Sequence, residues 1–244
     1  MSHDFSDFTL DAYAALLDKA VARYQFVLFG DGSNTDGRAL WRHDIDFSPH
    51  RALVMAELEA VRGVRASYFV QLTSVYYNAL EPEISAILRR MADLGHDIGL
   101  HFEPAGDAPE ERLAFEARTL EGALDTSVRV FSLHNPTTYD AARFEANEVA
   151  GLINASAPVW LHDFVYCSDS NGMWRYRALA DVVADTATRN IFALTHPEWW
   201  QDKAMAPRER IRRCIDGRAE HNMRDYDELL KTNFRPNIGK DCES

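Results

Sequence analysis

Apolar residues recur along this chain with two alternating periods. Ile84, Ile87, Leu88, Met91 and Leu94 fall three or four positions apart, as do Leu113, Ala117, Leu120 and Leu124, with polar residues between them. That spacing predicts amphipathic helices with one packed face. Between and around them lie short runs rich in β-branched and aromatic residues: "YQFVLF", "LWRHDIDF", "ASYFVQL", "DIGLHFE", "VRVFSLH", "LINASA", "VWLHDFVYC" and "IFALTHP". Each predicts a strand. A helix over about residues 9 to 22 would be a cap or the first outer helix. Strand, helix and strand in repeated succession imply an α/β fold: a parallel sheet covered by helices, closed into a barrel or open and doubly wound. No repeat, low-complexity tract or Gly/Ser linker divides residues 1–244, which predicts one domain. Its C-terminal extension, about 205–244, begins with "PRERIRRCIDGRAEHN". That stretch predicts a surface helix from Pro207 to Asn222, then a loosely held tail, with the arginines on a solvated face.

The polar residues inside the strand runs carry the chemical information. Side chains alternate faces along a strand, so Arg42, Asp44 and Asp46 share one face while Trp41, His43, Ile45 and Phe47 share the other. By the same rule Gly99, His101 and Glu103 lie together. His134 is the last strand residue before Asn135-Pro136, and His196 the last before Pro197. All these groups fall at the C-terminal ends of their strands, where parallel α/β folds collect ligands and catalytic groups. Taken singly, His43, His96 and His162 read better as satisfied core or rim residues. Asp44 and Asp46 do not, because two ionised carboxylates on one buried face repel unless a cation or donors compensate them. One carboxylate, two imidazoles and an open position form the ligand set of a catalytic zinc or another first-row divalent ion. Asp46 and His101 with a third ligand would supply it, Asp44 would act as general base, and His196 as general acid.

Composition narrows the partners. The formal net charge of −12 and the isoelectric point near 5.2 argue against nucleic acid or an anionic membrane as partner. The N-terminus has no basic segment followed by an apolar run, and no later window is apolar enough to span a membrane, so a soluble, cytoplasmic protein is expected. Cys167, Cys214 and Cys242 show no CxxC spacing and read as ordinary thiols.

At these residues the chain resembles the polysaccharide deacetylases, carbohydrate esterase family 4 or the NodB-homology domain, over roughly residues 35 to 200. "RHDID" resembles the family's first motif, in which one Asp is the base and the next binds metal. "GHDIGLHFEP" is similar to the second and places His101 on a metal ligand. "YCSDSNGMWR" resembles the fourth, giving Asp169 and Trp174 the task of orienting and packing against the acid, and "LTHPEWW" the fifth, making His196 that acid. The fold implied is an incomplete (β/α) barrel of about seven parallel strands with outer helices. Two departures stand out. The second motif's further histidine is Ala105 here, so the third ligand passes to His134, with Glu103 as the alternative. The third motif's arginine is replaced within "SLHNP", leaving Arg42 or Arg175 to hold the catalytic Asp.

The activity implied is metal-dependent removal of an N-acetyl group from an amino sugar, with release of acetate, by a divalent ion, most simply Zn2+. The sugar would be nucleotide-linked, lipid-linked or part of a polysaccharide, in a branch associated with surface polysaccharide synthesis. Trp199 and Trp200 would form a sugar-stacking wall or pack the barrel rim. The alternatives are hydrolysis of a non-sugar C–N bond, and a non-catalytic carbohydrate-binding or scaffold relative, to which Ala105 lends weight.

Overall fold

The computed structural model describes residues 5–31, 36–135 and 144–239. Its strands are β1 (Gln25–Val27), β2 (Arg38–Ile45), β3 (Ser67–Val70), β4 (Asp97–Phe102), β5 (Val130–Leu133), β6 (Glu148–Val149), β7 (Leu152–Asn154), β8 (Val165–Ser168) and β9 (Ile191–Thr195). They form one sheet in the order β6-β7-β5-β4-β3-β2-β9-β8, with β1 added beside β2. Every ladder is parallel except the β6–β7 hairpin. The seven strands from β7 round to β8 are the parallel run that the resemblance implies. The sheet curls, and β6 and β8 end it without pairing to each other, so it is a half-barrel with helices around it.

Those helices are α1 (Leu10–Val21), α2 (Pro49–Ala60), α3 (Pro82–Asp93), α4 (Pro109–Leu124), the single turn α5 (Trp160–Asp163), α6 (Leu179–Ala184) and α7 (Pro207–Thr232). Four of them, α2, α3, α4 and α7, start on a proline that needs no intrahelical N–H partner there. Ser48 caps α2 by accepting from Arg51 N at 3.3 Å, so the chain turns from strand to helix within three residues of Ile45. This abrupt turn leaves Asp46 on the rim of the sheet.

Two apolar clusters flank the strands. The larger lies between sheet and helices; the smaller fills the concave side with Leu40, Phe69, Val130 and Phe192 from four strands, plus Val27, Phe29, Ala155 and Phe164. Phe69 reaches across β4 because Gly99 has no side chain: a Cβ there would come within 2.7 Å of the Phe69 ring and 2.9 Å of Val130 O. Above this apolar floor, toward the C-terminal strand ends, the inward positions turn polar.

Three sequence expectations are corrected. "VWLHDFVYC" is not one strand: its first half winds into α5, and only Val165 onward joins the sheet. The hairpin strand β6 is unanticipated, being two residues long. The surface helix expected to end at Asn222 continues to Thr232, because charged pairs at helical spacing, His221–Asp225 at 3.2 Å and Lys231–Glu228 at 3.2 Å, support it. Cys242 and Pro136 lie outside the described residues.

Candidate metal centre

β2 delivers Arg42 and Asp44 to the concave side as buried residues, and the chain just beyond its end delivers Asp46. Arg42 grips Asp44 with two parallel bonds, Nε to Oδ1 at 2.8 Å and Nη2 to Oδ2 at 2.7 Å. The guanidinium stacks above Phe69, its carbon 5.2 Å from the ring centre. Burial opposes the charge on Asp44, but Arg42, then His101 and His196, hold its carboxyl well below the usual carboxylate range. The structure thus chooses between the two arginines: Arg42 holds Asp44, whereas Arg175 is exposed beside Tyr176.

β4 and β5 are in register so that His101 and Ser132 are neighbours across the ladder. Ser132 Oγ donates to Asp44 Oδ1 at 3.3 Å and lies 2.7 Å from His101 Nδ1. An ionised carboxylate only accepts, so the serine proton goes to Asp44 and the ring donates from Nδ1 to the serine. In a neutral ring, Nε2 is then left with a lone pair. It lies 3.2 Å from Asp46 Oδ1 and 3.6 Å from Asp44 Oδ2. The Oδ1 of Asp46 is buried and accepts no hydrogen bond among the described residues. A neutral ring sets two buried lone-pair atoms face to face, an arrangement relieved by a cation between them or by a proton on Nε2. Their 3.2 Å separation is close to the ~3.4 Å between two ligands on a tetrahedral ion with bonds near 2.1 Å.

His134, just past β5, completes a group with Asp46 and His101 whose ligand atoms all lie within 4.8 Å of one another. Its ring meets that of His101 edge-on, with centroids 5.1 Å apart. Glu103 is exposed, 3.4 Å from His134 Nδ1, and belongs beside His134 rather than within the group. The Asn135 amide nitrogen lies 3.0 Å from His134 Nε2. The donor set therefore suits a divalent ion, one carboxylate and two imidazoles held from behind by Ser132 and Glu103.

His196 and Asp169 follow β9 and β8, adjacent strands on the other side of β2. Asp169 is fully buried, and its oxygens lie 2.7 Å from His196 Nδ1 and accept from His196 N at 3.1 Å and Trp200 Nε1 at 3.2 Å. Burial disfavours the imidazolium, yet the hydrogen bond and charge of Asp169, with Asp46 farther off, raise His196 to about 10. Trp174 stacks on Phe8 at 5.2 Å, with Trp200 6.0 Å away. Trp199 and Trp200 are buried, so their burial supports rim packing over a sugar-facing wall.

No family model matches this chain, and no curated protein does. Solved structures do. A family 4 carbohydrate esterase from Bacillus anthracis is 15% identical, with 86% of each chain covered and a TM-score of 0.46. Others among them are a family 4 acetyl xylan esterase from Clostridium thermocellum and a family 4 pseudoenzyme from Bacillus anthracis. Peptidoglycan deacetylase from Bacillus subtilis is 17% identical over 82% of this chain and 98% of that one, TM-score 0.43. A variant of a family 4 pseudoenzyme with restored activity is 13% identical, TM-score 0.46; the alignment covers 77% of this chain but 66% of that one.

Ser132 and Glu198 are not anticipated. Ser132 was legible as the inward residue two before His134. Glu198 is fully buried with neither carboxylate oxygen hydrogen-bonded among the described residues, and burial with the nearby charge of Asp46 pushes it well above the carboxylate range. A neutral Glu198 explains how a fourth carboxyl is tolerated beside Asp44, Asp46 and Asp169. A second convergence, Glu81, Glu83 and His221, sits beside a cavity of about 370 Å³ between α7 and the starts of α2 and α3. Arg218 already binds both oxygens of Glu81, and none of Asp46, His101, His134 or His196 lines that cavity.

Proposed function

We propose that this protein is a metal-dependent hydrolase that removes the N-acetyl group from an amino sugar, carried on a nucleotide, a lipid or a growing polysaccharide. The observation that carries the reading is the convergence of Asp46, His101 and His134, whose ligand atoms lie within 4.8 Å of one another, with Asp46 Oδ1 and His101 Nε2 3.2 Å apart. Asp46, His101 and His134 would hold the ion. When bound, a divalent ion polarises an amide carbonyl and lowers the pKa of water toward about 7.

The chain's own residues supply the rest. Asp44, kept ionised by Arg42, lies within 3.6 Å of His101 and is placed to accept a proton from attacking water. His196 has Nδ1 committed to Asp169, so Nε2 is the atom that presents a proton to the departing nitrogen. Base and acid thus come from neighbouring strands, β2 and β9. Charge developing on the carbonyl oxygen would be met by the ion, and the buried Asp169 keeps the acid charged until it is used.

Incubating the full chain, purified without chelator, with N-acetylhexosamine derivatives tests this directly. Free amine and acetate should appear in equal amounts, and chelation should abolish both. Absence of bound divalent ion, with no rise in melting temperature on adding zinc, would favour the non-catalytic reading. Amine release from a cyclic ureide but from no N-acetyl sugar would favour the other C–N hydrolase. Asp46→Ala should lose the metal, whereas Asp44→Asn should keep it and lose turnover. Equal metal loss in both would reverse the two roles.

A further inference from the structure

We infer that α7 pairs with α7 of a second copy of this chain, antiparallel about a two-fold axis near Ala219. The helix is docked on the body by its polar side. Arg210 is fully buried over Phe8, 4.6 Å from the ring centre, and donates from Nε to Met205 O at 2.8 Å. One turn and two turns on, Cys214 and Arg218 are partly buried, with Arg218 bound to Glu81; His221 is 3.1 Å from Glu83. At 3.6 residues per turn, these residues share one side.

The opposite side is apolar and faces solvent. Ile215, Ala219, Met223 and Tyr226 fall within a stripe about 80° wide, centred roughly 140° from the docked face, with Leu229 about 40° to one side of it. The large members are 47%, 62%, 49% and 58% exposed for Ile215, Met223, Tyr226 and Leu229. A soluble helix normally hides such a stripe, so one displayed outward marks a contact surface.

Charge identifies the occupant. Arg208 and Arg212 lie within the N-terminal end of the stripe, Arg212 beside Asp216 at 3.2 Å, and Asp227, which accepts from Asn237, flanks its C-terminal end. Turned end for end about Ala219, a second copy brings Met223 over Ile215, Tyr226 over Arg212, and Asp227 onto the same flank as Arg212. The small Ala219 at the axis lets the helices approach. A parallel arrangement would instead set arginine on arginine. An anionic membrane suits this stripe poorly, since Asp216 and Asp227 border it on a chain of net charge −12.

Sedimentation of the full chain between about 1 and about 200 µM, the range in which small interfaces associate, tests the inference. The mass should climb from 27.7 kDa toward twice that value. Tyr226→Glu and Met223→Glu should each weaken self-association by roughly tenfold or more, with melting temperature unchanged. Arg212→Asp should weaken it, and Arg212→Asp combined with Asp227→Arg should restore it, which a merely stabilising role within the helix would not do. A monomer throughout, association indifferent to Tyr226 and Met223, or binding of the monomer to anionic vesicles through this stripe would overturn it.

Discussion

Arg42, Asp44 and Asp46 stand two residues apart on one strand end, yet their electrostatic situations differ. Asp44 has both oxygens bonded to a cation supplied by its own strand; Asp46 has a buried oxygen with none. In the proposed reaction, that contrast separates the base, Asp44, from the metal ligand, Asp46. The same reasoning applies to His196. Its ordinary value is 6.5, and Asp169 lifts it to about 10 against the effect of burial. Because the folded value is the higher one, the imidazolium contributes stability that is present in full below about pH 6.5 and is lost as pH rises through about 10. The imidazolium is therefore retained at neutrality, and with His196 as the acid of the proposed reaction the alkaline limb of kcat/KM should fall well above 6.5. In Asp169→Asn that limb should move down by at least a unit, with kcat reduced more than KM is changed. An alkaline limb that stays where it was would dissociate Asp169 from the acid's protonation.

At the scale of elements, the site depends on how closely the floor beneath it packs. β3 can send Phe69 across β4 only because Gly99 leaves the space, and Phe69 in turn is the platform for Arg42. Gly99→Ala should therefore destabilise the fold by roughly 1–3 kcal/mol, the range for overpacking a filled core, and should shift Arg42 and Asp44. Chemical denaturation measures the first, and metal affinity the second. A fully stable variant with unaltered metal affinity would show that Phe69 repacks freely. This dependence was half legible: alternation along β4 placed Gly99 on the face of His101, but nothing in the sequence shows which ring crosses over it. Legibility elsewhere follows the same line. Strand-end polar residues were readable because charge is costly in a strand; so were α3 and α4, whose apolar stripes are wide and one-sided. α2 was not, because its buried face is made of Ala52, Ala56 and Glu59 as well as Met55. Ser132 was missed because a serine in a strand costs little, and its meaning appears only once β5 lies against β4.

The whole molecule is organised by the alternation of β2 itself. One face turns Arg42 and Asp44 into the half-barrel; the other turns His43 outward against Glu59, a fully buried carboxylate on α2. His43 Nε2 lies 2.7 Å from Glu59 Oε1, and His43 Nδ1 lies 2.6 Å from Thr195 Oγ1 on β9. Tyr13 of α1 and Tyr68 of β3 both donate to Glu59, the latter at 2.7 Å, while Trp41 donates to Tyr13 at 2.8 Å. This hub ties two helices to three adjacent strands. Although burial opposes the charge, His43, His96 and the Tyr13 hydroxyl hold Glu59 below its ordinary value. A depressed carboxyl contributes stability present above about pH 4.5 and lost as pH falls through the folded value, so the hub is complete at neutrality. Glu59→Leu removes the acceptor and leaves two buried hydroxyls and a histidine without it, for an expected loss of about 3–5 kcal/mol at pH 7. The loss should shrink in acid, where wild type gives up the same contribution. Metal content per folded molecule should not change, since Glu59 and the ligands lie on opposite faces of the sheet. Urea denaturation at pH 7 and pH 4 with parallel metal analysis checks all three; a metal-depleted yet stable variant would contradict the division of labour between the two faces of β2.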